Sequence, residues 1–247
     1  MKIYNTLIIG SGYTSIGYAA ACESAIICDE HQVCDTHFYL PLRSFRHQPY
    51  LPKTEEGAHL LEIFRSLSLF EGEAQNTNGF EFALCKYICQ KEMDVLLKCR
   101  VVGIERTAEG LYDATIHTNE GLTHLFAERI LDTTSRPNPK RYTVLFVCED
   151  IEAVKPALLS VFADAQVEPA FYQNRYALHL SAGDTDENRI KAEIYEQWRS
   201  LPTDAKILYM APTFYADSSE NQWSDYNYQN PIEAFEAGYF YAKEADR

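Results

Sequence analysis

The chemically most informative residues form a glycine-containing turn near the start of the chain. Gly10-Ser11-Gly12-Tyr13-Thr14-Ser15 directly follows the apolar run Leu7-Ile8-Ile9. Glycine lets the backbone approach an anion closely, and the first N–H groups of a following helix bind phosphate with help from the helix dipole. A strand, this turn and a helix therefore predict a dinucleotide phosphate site. Its expected residues are Gly10, Ser11, Gly12, Tyr13, Thr14 and Ser15.

Two acidic residues strengthen this prediction. Asp29 and Glu30 follow the apolar run Ala25–Cys28, about twenty residues after the turn, where a carboxylate binds the ribose of a dinucleotide. The turn alone is also common at unrelated strand–helix corners, so the prediction of a dinucleotide site depends largely on these two acids. Ser15 stands where a third glycine is usual, which places an extra hydroxymethyl group at the helix–strand contact.

Arg43, Arg46 and His47 form a compact basic group in an acidic chain. Such side chains bind carboxylate or phosphate groups, so they are candidates for holding an anionic substrate or a cofactor phosphate. A solvated loop explains the same residues equally well.

Metal ligation and side-chain catalysis find less support. The loop from His31 to His37 contains His, Cys and Asp side chains, but no second cluster completes a tetrahedral ligand set, so we predict no metal. The sequence contains no Ser-His-Asp order, no Walker lysine motif and no paired-carboxylate signature. It therefore identifies no catalytic acid, base or nucleophile.

The elements that would position these residues alternate between strands and helices. Thr54 is a candidate N-cap for a helix through Phe64, and a second helix is expected over residues 80–90. Tyr112–His117 and Leu122–Phe126 flank Asn119-Glu120-Gly121, which predicts a hairpin or meander. Further strands are expected over 142–147, 175–180 and 206–211, and helices over 186–201 and from Asn230 onward.

Composition narrows the class of protein. The 247 residues carry a net charge of −14, which would repel nucleic acid and anionic membranes. No apolar stretch approaches the length of a membrane span, and the N-terminus does not resemble a secretory signal. The seven cysteines are scattered without the spacing of a disulfide framework, which indicates reduced thiols, so we expect a cytoplasmic protein.

The order of four segments resembles the FAD-binding domain of flavoprotein oxidoreductases. These segments are Gly10–Gly12, Ile26–Glu30, Cys99–Glu105 and Ile130–Pro137. The resemblance implies that Asp29, with Glu30 as second choice, binds the adenosine ribose and that Val101 contacts the adenine. It also implies that the turn Thr133-Thr134-Ser135 lies over the dinucleotide, with Ser135 where glycine is usual.

The C-terminal part is similar to the same family. There a late strand leads to an acid near the ribityl chain, which matches Asp217, and a following helix points its N-terminus at the flavin ring. Asn230-Pro231-Ile232-Glu233 would open that helix, with Asn as N-cap, Pro at the first position and Glu at the third. The capping alone would equally predict an ordinary surface helix.

The sequence therefore predicts an α/β protein with a Rossmann-type, three-layer FAD/NAD(P)-binding fold, a β-meander and a small α+β insertion. Residues 1–137 and 205–247 would form the FAD-binding domain, and residues 138–204 a substrate or interaction domain. The implied function is hydride transfer between a small-molecule substrate and FAD. Two alternatives stay open: a non-catalytic member that has lost FAD, suggested by Ser15 and Ser135, and an NAD-binding oxidoreductase.

Overall fold

Two separate sheets organise the chain, for which the computed structural model describes residues 2–32, 34, 49–71, 74–134, 141–181, 186–213, 225–228 and 230–245. The strands within these residues are β1 (Ile3–Ile9), β2 (Ala25–Asp29), β3 (Phe70–Glu71), β4 (Ala74–Gln75), β5 (Asp94–Leu97), β6 (Arg100–Arg106), β7 (Tyr112–Thr118), β8 (Gly121–Asp132), β9 (Arg141–Val147), β10 (Gln166–Pro169), β11 (Arg175–Ser181) and β12 (Lys206–Thr213).

The helices connect and cover these strands. The α-helices are α1 (Tyr13–Ala21), α2 (Glu55–Ser66), α3 (Phe80–Gln90), α4 (Ile151–Val161), α5 (Glu187–Arg199) and α6 (Pro231–Ala245). Short 3₁₀ turns cover Thr77–Gly79 and Asp225–Asn227. Among the described residues, no helix combines the length and the hydrophobicity that crossing a bilayer requires.

The first sheet has the strand order β5-β2-β1-β8-β7-β6. β1 pairs in parallel with β2 and β8, and β2 pairs in parallel with β5, whereas β6, β7 and β8 form an antiparallel meander. Ile9 is in register with both Cys28 and Asp132, so three parallel strands end at one edge. The predicted α/β fold with a meander is confirmed, and this edge is where such sheets bind ligands.

Helix α1 packs against the C-terminal helix α6 through two glycines. A Cβ atom on Gly17 would lie 1.8 Å from the Phe235 carbonyl oxygen, and one on Gly238 would lie 1.9 Å from the Thr14 carbonyl oxygen. Hydrogen at these two positions lets the helix backbones touch. The close contact fixes α1, and with it the N-terminus that faces the edge of the sheet.

The second sheet is antiparallel, with the order β10-β11-β9-β12. Its core side chains, which include Tyr142, Phe146 and Leu178, pack against α4 and α5, and the Trp198 ring of α5 lies edge-on to Phe146. We expected the late strand near 206–211 to belong to the dinucleotide-binding domain. That placement is wrong, because β12 pairs with β9 along Lys206–Thr213.

Local signals explain which elements were predicted. Thr54 caps α2 by accepting a hydrogen bond from the Gly57 N–H, and α3 spans Phe80–Gln90 as expected. Helix α4 was missed, because Pro156 lies inside it and proline normally argues against a helix interior. Its N-cap is Asp150, whose carboxylate accepts from Glu152 N and Ala153 N.

Candidate functional site

A cavity of about 430 Å³ opens at the carboxyl edge of the first sheet. It lies above the ends of β1 and β2 and beside the start of β6, so residues from the predicted turn and from both predicted acids meet there. The lining residues are Ile9, Gly10, Ser11, Gly12, Cys28, Asp29, Glu30, His31, Cys99, Arg100, Val101, Ile104, Asp132 and Thr134.

The glycine turn begins with a residue in the left-handed region. Gly10 has φ of +100°, and a Cβ there would lie 2.4 Å from the Thr133 Oγ1 atom. Both the backbone conformation and the close approach therefore require glycine. Thr133 fixes the neighbouring strand end, because its hydroxyl donates to the Ile9 carbonyl oxygen at 2.9 Å.

Ser15 occupies the position at which a third glycine is usual, and the structure shows how a larger residue fits. Its side chain is fully buried and its Oγ lies 2.8 Å from the Thr133 Oγ1. Since Thr133 donates its proton to Ile9, Ser15 is the donor in this pair. The hydroxyl thus links α1 to the end of β8 and does not enter the cavity.

The N-terminus of α1 contains the most unexpected contact. The Asp225 carboxylate accepts hydrogen bonds from Tyr13 N at 2.6 Å, from Thr14 N at 2.7 Å and from the Thr14 hydroxyl. Asp225 is 1% exposed, whereas the Tyr13 side chain points away into the core and donates to the Phe80 carbonyl oxygen. An internal carboxylate therefore occupies the N–H groups predicted to bind phosphate.

Gly12 is what allows this approach. A Cβ at residue 12 would lie 2.2 Å from Asp225 Oδ2. Gly12 is also the N-cap residue of α1 and has no side chain to offer, so Asp225 supplies the cap from the other end of the chain. A buried anion at a helix N-terminus is stabilised by the helix dipole as well as by the hydrogen bonds.

Asp29 lies at the end of β2 and has its acceptor capacity filled. Its two oxygens accept from Ser11 N at 2.8 Å, from the Ser11 hydroxyl, from His31 N at 2.8 Å and from His31 Nδ1 at 2.7 Å. Burial raises the pKa of this carboxyl, but the hydrogen bonds from Ser11 and His31 outweigh burial and lower it. A carboxylate accepts about four hydrogen bonds, so a ribose hydroxyl would have to displace one donor.

Glu30 offers the free carboxylate in the cavity. It is exposed, and within the described part of the chain it has no hydrogen-bond or ion-pair partner. Val101 and Ile104 from β6 line the same cavity with apolar surface. The second-choice acid from the sequence is therefore the one with open acceptor positions.

Two cysteines form part of the cavity wall. The Cys28 and Cys99 thiols lie close together, and their interaction raises the pKa of Cys28 and lowers that of Cys99. Cys99 also donates to the Leu96 carbonyl oxygen at 3.2 Å. Both thiols are free, and sequence reasoning did not bring them together.

Asn230 caps α6 as predicted, with its side-chain oxygen accepting from Ile232 N at 2.8 Å. Other predicted site residues, namely Arg43, Arg46, His47, Ser135 and Asp217, lie outside the described residues. Within the described residues, no three His, Cys, Asp or Glu side chains converge as a metal site.

No protein-family model and no curated protein sequence matches the chain. Solved structures do match in fold. The p-nitrophenol 4-monooxygenase PnpA from Pseudomonas putida DLL-E4 aligns with a TM-score of 0.55 at 12% identity, covering 86% of this chain and 68% of that one. The flavoprotein/dehydrogenase from Cytophaga hutchinsonii aligns with a TM-score of 0.51 at 13% identity, covering 98% and 77%.

A third neighbour is the anhydrotetracycline hydroxylase OxyS from Streptomyces rimosus, with a TM-score of 0.52 at 11% identity and coverage of 85% and 52%. The chain thus spans about half the length of some of these proteins. At such low identities the likeness shows a shared architecture, so this chain shares its α/β fold with this monooxygenase, this hydroxylase and this flavoprotein/dehydrogenase.

The fold implies FAD, whose two halves can be compared with the residues present. The adenosine half suits the cavity, because Glu30 has free oxygens for a ribose diol and Val101 and Ile104 provide apolar walls. The pyrophosphate requires the N–H groups of Tyr13 and Thr14, which Asp225 already engages. The residues present therefore fit the adenosine end, whereas the Asp225 carboxylate stands where the phosphates would bind.

Proposed function

We propose that this protein binds FAD at the edge of its six-stranded sheet and acts as a flavin-dependent oxidoreductase on a small molecule. The observation that carries the proposal is the 430 Å³ cavity between the glycine turn, the end of β2 and the start of β6. Ligands bind at this edge in open α/β sheets, and the polar groups there suit a nucleoside.

The chain's own residues would bind and orient the cofactor. Gly10 and Gly12 would admit the pyrophosphate close to the backbone, and Glu30 would accept hydrogen bonds from the ribose. Asp29 would hold the turn in shape through Ser11. Val101 and Thr134 would contact the adenosine side, and Thr133 would hold the end of β8 against Gly10.

The flavin end would lie near residues that the resemblance singles out. The N-terminus of α6, capped by Asn230, would stabilise negative charge on the reduced ring, and Asp217 would contact the ribityl chain. When bound, FAD supplies the redox chemistry by exchanging a hydride with the substrate. We further propose that the unit around the second sheet contributes to binding the substrate. Separately, Arg43, Arg46 and His47 are candidates for binding an anionic group of the substrate or cofactor.

An absorption spectrum tests the proposal most simply. The purified protein is incubated with excess FAD, freed of unbound cofactor by gel filtration and scanned through the flavin bands. We expect retained, roughly stoichiometric FAD, and addition of substrate or dithionite should bleach it. A colourless protein whose Tm does not respond to FAD would overturn the proposal.

A second candidate is a non-catalytic binding module with the same fold. It is favoured by a specific observation: Asp225 and Asp29 are satisfied by the chain's own groups and do not depend on a ligand. An NAD-binding enzyme is a third candidate. The spectrum and the Tm together distinguish it, because NAD would raise the Tm while the protein showed no flavin absorption. Tight FAD with substrate-dependent bleaching would exclude both alternatives.

A further inference from the structure

Asp225 fills the position at the start of α1 where a bound phosphate group would lie. Its two oxygens engage Tyr13 N and Thr14 N at 2.6 and 2.7 Å, with the Thr14 hydroxyl as a third donor. These are the groups that a dinucleotide pyrophosphate would use in this fold. The protein therefore supplies the anion for these N–H groups itself, from a residue 212 positions after Tyr13 in the sequence.

We propose that Asp225 is an internal competitor for the dinucleotide pyrophosphate, which binds only after this carboxylate leaves the α1 N-terminus. The proposal rests on the proposed function, since it concerns the same site. Two anions cannot share the same N–H donors, and the carboxylate lies so close to the turn that a Cβ at residue 12 would be 2.2 Å from Asp225 Oδ2. The site thus exchanges between a self-occupied state and a nucleotide-occupied state.

The element that carries Asp225 is short. It is the three-residue 3₁₀ turn Asp225–Asn227, which lies just before Asn230 and α6. The carboxylate belongs to this turn and to no strand of the six-stranded sheet, so its withdrawal requires no change in strand pairing. The apparent affinity for a dinucleotide equals the intrinsic affinity reduced by the fraction of molecules in which Asp225 has withdrawn.

The competition predicts selectivity within one cavity. Adenosine reaches the pocket beside Glu30 without needing the α1 N-terminus, so Asp225 should not affect it. ADP and FAD both place phosphates at the N-terminus, so both should be weakened by the carboxylate. A neutral Asn at residue 225 still caps the helix through its amide oxygen but binds the N–H groups less strongly, because charge-assisted hydrogen bonds are the stronger kind.

The test measures binding of adenosine, ADP and FAD by isothermal titration calorimetry to the wild type, D225N and a control, D150N. Asp150 is a matched control, since it caps α4 through two N–H groups in the second unit, away from the cavity. We expect D225N to bind ADP and FAD about tenfold more tightly than the wild type, with adenosine unchanged. D150N should bind all three ligands as the wild type does.

A second variant protects the test against a folding defect. D225A removes the cap altogether, so its ligand-free Tm should fall, and its Tm gain on adding ADP should exceed that of the wild type. The competition is overturned if the wild type binds FAD and D225N binds ADP and FAD no more tightly. It is also overturned if adenosine gains as much as ADP. If no variant binds any of the three ligands, the proposed function itself fails, and the competition fails with it.

Discussion

The contact between α1 and α6 predicts a large effect of one methyl group. In Gly17→Ala the new Cβ would lie 1.8 Å from the Phe235 carbonyl oxygen and 2.7 Å from its carbon. Carbon atoms pack at roughly 3.5–4.0 Å, so the helices must separate by roughly 1.5–2 Å near this point. Backbone gives way less easily than the end of a side chain, so relief must come from moving a helix.

The cost follows from two opposing effects. Overpacking in a tight core costs about 1–3 kcal/mol, and a backbone clash belongs at the upper end or beyond it. Alanine regains about 0.5–1 kcal/mol because glycine is a poor helix residue. We therefore expect G17A to lose about 2–3 kcal/mol of unfolding free energy, which lowers the Tm by about 5–10 °C in a chain of this size.

Differential scanning calorimetry and urea unfolding measure this loss. Gly103→Ala is the matched control, because its new Cβ would meet nothing closer than the Thr115 side chain at 3.8 Å. G103A should shift the Tm by less than about 2 °C. Gly238→Ala probes the same interface from the other helix, and the double variant should lose less than the sum of the two, since the first methyl group already separates the helices. A G17A protein as stable as the wild type would refute the reasoning.

Three further predictions concern buried or cavity-lining carboxylates. Glu236→Ala should lose about 2–4 kcal/mol in urea unfolding, because the buried carboxylate accepts from Thr54 N, the Thr54 hydroxyl and neighbouring donors at the start of α2; an unchanged midpoint would contradict this. Ser11→Ala should be less stable than the wild type at neutral pH, with the gap narrowing as the pH falls below 3.8, the ordinary pKa of Asp29. The reason is that the Ser11 bond helps to lower that pKa in the folded state, and a stabilisation of this sign is lost on protonation; a gap that widens in acid would argue against it. Glu30→Gln should weaken adenosine binding by about tenfold in calorimetry without lowering the Tm, whereas unchanged binding would remove Glu30 from the site.

The sequence predicts the first part of the fold well, because local signals coincide there. An apolar run, a glycine turn and a second apolar run ending in Asp29 leave few alternatives to a parallel β-α-β unit. The cap residues Thr54 and Asn230 were likewise readable, since a cap is decided within a few residues.

The sequence could not show which distant elements meet. Ile207–Ala211 has the apolar pattern of a buried strand in either sheet, and nothing local indicates that it pairs with β9. Asp225 lies in a polar, aromatic stretch of the sequence that contains other acidic residues, so its contact with Tyr13 and Thr14 has no local signature. Gly12 gave part of the answer, because a glycine at this position predicts that an anion approaches the backbone closely. In the structure that anion is the Asp225 carboxylate and not a phosphate.

The central claim is that the cavity at the edge of the six-stranded sheet binds the adenosine end of FAD. A crystal structure of the protein grown with saturating FAD tests it most directly. We predict the adenosine between Glu30 and Val101, with the pyrophosphate on the N–H groups of Tyr13 and Thr14 and the Asp225 carboxylate displaced from them. A structure in which Asp225 keeps both hydrogen bonds and the cavity holds no nucleotide would contradict the account.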